Sequence, residues 1–348
     1  MFFGLNKSVK FIRLMICFDR LKLKCNREYI DSINMNLFNT IQIENKIIKY
    51  EFRQDKPYFL DILIDEVNKK LIIEFTSKIL LDDCIELINY NTIRKCLNAI
   101  NVSNLCRLNV DAILKNSEVL KIDITFDIEC DYLDILKQQI RSNLSNYNKW
   151  IDMKYANNGI KILNTVSTSR CQKRLIIYDK SKELASSKNK SFRSVLKNHQ
   201  KIKDFYKGKI RFEMKVNSVK QIKDFLRITD NDLSSVLYST TSPILEIFDE
   251  AILLQEIKND YEDYGDYDKL TFLDFDKISD FRNYVVLKEF DFDLKKLSIS
   301  LKGLYSATTQ WTKIMQPYRN LLLKLKPSTN LLMEIRNLLM CQNEIVSI

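Results

Sequence analysis

Apolar and polar residues alternate with a period of two in three segments, Lys121–Glu129, Lys173–Asp179 and Lys209–Asn217. Successive side chains of a strand point to opposite faces. The first segment therefore places Ile122, Ile124, Phe126 and Ile128 on one face and Asp123, Thr125, Asp127 and Glu129 on the other. The third places Ile210, Phe212, Met214 and Val216 opposite Arg211, Glu213 and Lys215. In the middle one, Leu175 and Ile177 oppose Arg174, Ile176 and Tyr178. If the three strands share a sheet, its polar face collects carboxylates, arginines and one tyrosine. Antiparallel sheets with one solvated face alternate in the same way without any chemistry, so the pattern predicts a sheet before it predicts a site.

Further alternation predicts strands at about 10–18, 46–54, 58–66 and 69–76. Leu80, Cys84, Leu87, Ile88 and Cys96 recur near helical spacing, which predicts one amphipathic helix across Lys78–Asn101. A second helix is expected over Tyr132–Tyr147. A hairpin then turns through Asn157-Asn158-Gly159, good turn residues between Trp150–Tyr155 and Ile160–Val166. A strongly basic helical stretch spans Lys180–Lys207, and Asn217-Ser218 caps a helix bearing Val219, Ile222 and Phe225. There is no strict βαβ rhythm and no Gly-rich phosphate loop. The expected fold is α+β: an antiparallel-sheet domain over residues 1–228, then a mainly helical region, 229–348, with a possible DNA-binding role. Within the latter, Asp293–Trp311 has the pattern of a helix-turn-helix with Gly303 near its turn. The acidic, tyrosine-rich run Asn259–Asp268 reads as a solvated loop or as a mimic of DNA.

Composition narrows the function. The net charge of +10 on 348 residues favours a polyanionic partner, since lysines bound to phosphates release counterions. The eight cysteines form no Cys-x-x-Cys pair and are expected to be reduced in a cytoplasmic, soluble protein that does not cross a membrane. The single histidine, His199, lies in a polar stretch and is expected at the surface. That argues against hydrolases with a histidine base and against sites that hold metal on histidine pairs.

The order of four segments carries a resemblance. They are Ile73-Glu74-Phe75-Thr76-Ser77-Lys78, Ile122-Asp123-Ile124-Thr125-Phe126, Arg174-Leu175 through Tyr178, and Gly208 through Glu213. In this order they resemble the rolling-circle replication initiators of filamentous phages, the gene II protein type, over roughly residues 8 to 230. The resemblance implies that Tyr178 attacks one strand of single-stranded or supercoiled origin DNA and keeps the 5′ phosphate. A 3′ hydroxyl is freed for a host DNA polymerase, with a host helicase as a further partner, and the strand is later rejoined. Its acidic positions fall on Asp123 and Glu213.

A phenol with a pKa near 10 is only about one part in a thousand ionised at pH 7. Such a nucleophile needs cations or a base beside it. Arg174 and Lys180 are the expected catalytic cations. Asp123 and Glu213, with Glu74 third, are the expected ligands of Mg²⁺ or Mn²⁺, hard cations that prefer oxygen. Arg211, Arg193, Lys197 and Lys201 are expected to bind DNA. Two other readings stand beside it: a non-covalent Mg²⁺ nuclease using the same carboxylates, and a DNA-binding regulator without chemistry, such as a copy-control protein.

Overall fold

The computed structural model describes residues 16–44, 46–130, 132–145, 149–156, 159–165, 172–253, 271–290, 294–304, 311–325 and 331–344. Its strands are β1 (Cys17–Asn26), β2 (Ile30–Ile33), β3 (Asn39–Ile43), β4 (Lys46–Gln54), β5 (Leu60–Asp65), β6 (Lys70–Thr76), β7 (Cys106–Leu108), β8 (Glu118–Glu129), β9 (Trp150–Tyr155), β10 (Gly159–Asn164), β11 (Arg174–Asp179) and β12 (Lys209–Val216). Ten of them form one sheet in the order β3-β4-β5-β6-β1-β8-β12-β11-β10-β9. Its neighbours pair antiparallel throughout. The fold is α+β, and the three alternating segments lie side by side as β8, β12 and β11.

One face of the sheet is apolar. Leu21, Leu23, Leu60, Ile62, Ile73, Phe75, Ile122, Ile160, Leu175, Ile177 and Phe212 on it are fully buried. At about 25 cal/mol per Å² of apolar area, this burial is the main force holding the sheet to its helices. Helices α1 (Ile93–Val102), α2 (Val110–Asn116) and α3 (Leu133–Ser142) precede β11 and β12 in the chain. Arg141 of α3 meets Asp152 of β9 at 2.9 Å. After β12 come α7 (Val219–Leu226), α8 (Leu233–Leu237) and α9 (Pro243–Ala251), numbered after the three helices of the basic stretch given next. Phe248 of α9 packs edge-on to Phe212 at 6.4 Å. Ser218 caps α7 by accepting from the Gln221 amide at 3.3 Å, as its sequence predicts.

Part of the polar face is also covered. The basic stretch folds as α4 (Lys180–Ala185), α5 (Lys190–Ser194) and α6 (His199–Tyr206). They share a small core of Cys84, Leu184, Phe192, Ile202 and Tyr206 with the segment Ser77–Glu86. The single helix expected over Lys78–Asn101 does not form. Leu81 and Leu87 take positive φ angles (54° and 57°), so a 3₁₀ segment ends before α1 starts. Cys84 from that segment enters the polar-side core, a tertiary demand that outweighed helical spacing.

Two compact units divide the chain, Met1–Leu254 with Ile335–Ile348, and Gln255–Glu334. The division expected at 228 falls later because α8 and α9 build on the sheet. The second unit contains α10 (Ile278–Glu289), α11 (Leu294–Lys302) and α12 (Trp311–Leu325), around Tyr284, Leu287, Leu297 and Met315. Helix α11 lies within the expected helix-turn-helix segment Asp293–Trp311, residues 305–310 of that segment lie outside the described residues, and Trp311, the first residue of α12, donates to Ser298 at 3.2 Å. The last helix is α13 (Leu331–Glu344), whose Arg336 holds Asp249 through two bonds of 2.8 and 2.9 Å. The acidic run 259–268, residues 10–15 and most of the Asn157-Asn158-Gly159 turn lie outside the described residues. Among the described residues, no helix is long and apolar enough to cross a membrane. Cys25, Cys84, Cys96 and Cys106 are buried free thiols.

Candidate active site

The polar face is organised by strand register. Asp127 opposes Arg211, Arg211 opposes Tyr178, and Tyr178 opposes Gly159, which opposes Tyr155. The next row sets Thr125 opposite Glu213 and Glu213 opposite Ile176. The row after it sets Arg20 opposite Asp123 and Asp123 opposite Lys215. Strand β1 contributes through a bulge between Phe18 and Arg20. Phe18 and Leu21 are both on the buried apolar face, so the extra residue turns Asp19 and Arg20 together to the polar side. Gly159 has a steric role here. A Cβ on it would lie 2.7 Å from both the Ile177 carbonyl oxygen and Tyr178 Cβ, so only glycine lets the rings of Tyr155 and Tyr178 meet, at 5.4 Å.

Two charged clusters occupy this face. In the first, Arg211 is fully buried and its guanidinium bonds Asp127 bidentately at 2.7 and 2.8 Å, Asp19 at 3.2 Å and the Tyr206 hydroxyl at 3.0 Å. Asp19 also accepts from Ser77 at 2.8 Å. Beside it Lys180 pairs with Glu183 at 3.0 Å. Asn189 donates to that carboxylate at 2.7 Å and accepts from Lys78 at 2.7 Å. Burial alone would raise both acids. Lys180, Arg211 and Lys78 instead hold Asp19 well below the usual carboxylate range, and Lys180 and Lys78 bring Glu183 down to about 2.

The second cluster is short of cations. Tyr178 is 2% exposed and donates its hydroxyl proton to Glu213 Oε2 at 2.9 Å. Glu213 Oε1 meets Lys215 Nζ at 3.2 Å, and the same ammonium is 3.9 Å from Asp123 Oδ2. Asp123 is 3% exposed, yet its Oδ1 has no hydrogen-bond partner among the described residues. Burial, and then the neighbouring Glu213 carboxylate, push Asp123 from 3.8 up to about 7. Burial and Glu213 likewise raise the Tyr178 phenol well above its ordinary value.

The structure thus brings Tyr178, Glu213, Asp123 and Lys180 within one neighbourhood, Lys180 Nζ lying 5.7 Å from the Tyr178 ring centre. Arg174, four residues before Tyr178, is half-buried, and its Nε has no partner among the described residues. Glu74 shares the Arg20 guanidinium with Asp123. Its carboxylate is taken by Lys121 at 2.8 Å, Lys22 at 3.2 Å and Arg20 at 3.5 Å, so it has no oxygen to spare for a metal. Asp123 and Glu213 do fit a hard divalent cation, because Mg²⁺ commonly takes one or two carboxylates and completes its shell with water and substrate phosphate. Among the described residues, no group of three or more His, Cys, Asp or Glu side chains is poised as a metal cage.

The expected DNA contacts also divide. Arg211 cannot touch DNA, since it is fully buried in its own ion-pair network. Arg193 donates to the Leu184 and Ser186 carbonyls, tying α5 to α4. Lys197 and Lys201 are exposed or half-exposed beside an exposed His199. Sequence reading missed Asp19, Arg20 and Tyr155, and it placed Lys215 on the polar face without giving it a role. The Leu21-Lys-Leu-Lys-Cys25 alternation could have revealed β1, but a bulge leaves no periodic trace.

Residues 89–234 match the family model for the N-terminal domain of the replication-associated protein of the gene II type. No curated protein and no solved structure matches the chain. The matched segment is similar to that domain and includes Asp123, Arg174, Tyr178, Lys180, Glu213 and Lys215. The resemblance seen in the sequence from about residue 8 extends further toward the N-terminus than this match.

Proposed function

We propose that the protein initiates DNA replication by opening one strand at an origin through Tyr178 and later rejoining it. One observation carries this reading: the Tyr178 hydroxyl donates to Glu213 at 2.9 Å within a buried carboxylate pair. Glu213 takes the phenol proton as general base in this reading. The Tyr178 oxygen then bonds to phosphorus, the P–O3′ bond breaks, and the departing 3′ oxygen takes a proton from water. The 5′ phosphate stays on Tyr178, which conserves the phosphodiester bond energy for the reverse reaction. A Mg²⁺ or Mn²⁺ ion held by Asp123 and Glu213 would polarise the phosphoryl oxygens. Lys180, beside the Tyr178 ring, favours the anionic form of the phenol.

The near-complete burial of Tyr178 favours one second reading, a non-covalent nuclease in which the phenol only orients Glu213. Incubating the protein with 3′-labelled single-stranded origin DNA and Mn²⁺ separates the two. The first reading expects a phosphotyrosyl adduct that Tyr178→Phe abolishes, while the variant keeps its fold and DNA affinity. Cleavage by Tyr178→Phe at the wild-type rate overturns it.

A further inference from the structure

We propose that the Lys215 ammonium is the resident counter-ion of the Asp123–Glu213 pair, and that a divalent cation enters the site by displacing it. The inference rests on the metal reading above and adds a control of metal affinity built into β12.

Register puts Lys215 directly opposite Asp123 and two residues beyond Glu213 on the same face. Its two ion pairs, at 3.2 and 3.9 Å, go to these carboxylates. One positive charge thus serves two negative ones, and an Asp123 oxygen is left buried without a partner among the described residues. Such an oxygen costs free energy until a cation or donor reaches it. Arg20 does not make up the shortfall. Its guanidinium is 4.0 Å from Asp123, bonded to Glu74 at 3.5 Å and stacked over Phe59 at 4.4 Å. The Lys215 side chain is 31% exposed on a flexible stem, so it can swing into water. A dication would neutralise both carboxylates and repel the ammonium from the pocket. The same side chain would thus stabilise the empty site and weaken the loaded one.

The test is a Mn²⁺ titration of the full chain, with free Mn²⁺ read by electron paramagnetic resonance. Lys215→Gln should bind Mn²⁺ about tenfold more tightly than wild type, as expected for removing a like charge near a partly solvated site. Lys215→Arg keeps the charge and should bind about as the wild type does. Without metal, Lys215→Gln should melt lower than wild type and gain more from Mn²⁺. Equal or weaker binding by Lys215→Gln overturns the proposal, as does the lack of any saturable binding that Asp123→Asn removes. Failure of the tyrosine reading shows separately, as a missing DNA adduct with Mn²⁺ binding intact.

Discussion

The Arg211–Asp19 cluster and the Asp123–Glu213 cluster share one sheet and one face, yet Asp19 and Asp123 move in opposite directions. Asp19 and Glu183 are pulled down by Lys180, Lys78 and Arg211, whereas Asp123 is pushed up to about 7 by burial and Glu213. The first cluster sets two or more cations beside each of these acids. The second gives Asp123 one distant ammonium and one distant guanidinium. A completed network fixes structure, and an uncompleted one stores a demand for a cation. The contrast separates scaffold from candidate site among residues that look alike in the sequence.

The contrast breaks most visibly at Arg211. Arg211→Met leaves Asp127 and Asp19 without their partner and should cost about 3–5 kcal/mol in urea unfolding. A loss under about 1 kcal/mol would mean that the first cluster is no more essential than a surface pair.

Asp123→Asn is the next largest change, and its sign depends on pH. A carboxyl raised from 3.8 to about 7 on folding binds its proton more tightly in the folded state. Its contribution to stability is complete below pH 3.8 and is lost as pH rises to about 7. In EDTA, wild type should therefore lose on the order of 3 kcal/mol relative to Asp123→Asn between about pH 4 and pH 8. Taking the difference cancels the opposite slopes of Asp19 and Glu183. A parallel pair of stability curves would show that Asp123 is ionised throughout.

The smallest effect is on DNA. Lys197→Ala with Lys201→Ala should reduce the salt slope of single-strand binding by roughly 1.4 units, at about 0.7 per contact. Affinity for origin and random strands should fall alike. Salt titrations by fluorescence anisotropy decide it, and an unchanged slope moves the strand path off α6.

Much of the site was legible in strand alternation. Asp123, Glu213 and Tyr178 were found because each sits at an alternate position of a strand whose other face is apolar. Glu74 met the same criterion, but Lys22 and Lys121 from neighbouring strands compensate its carboxylate. Arg211 met the criterion too, but α6 lays Tyr206 over it and removes it from solvent. Alternation tells which face a side chain takes, not what covers that face.

By itself, then, the sequence determined the antiparallel α+β sheet, the three site strands and the kind of side chains their polar face carries, because a period of two is a local property of the chain. Only the tertiary structure decided which acids are compensated. Asp19 reaches Arg211 through a bulge and a contact 192 residues apart, and Lys215 faces Asp123 through the pairing of β12 with β8. Charge compensation is set by distances between strands remote in the chain, and no local pattern encodes them.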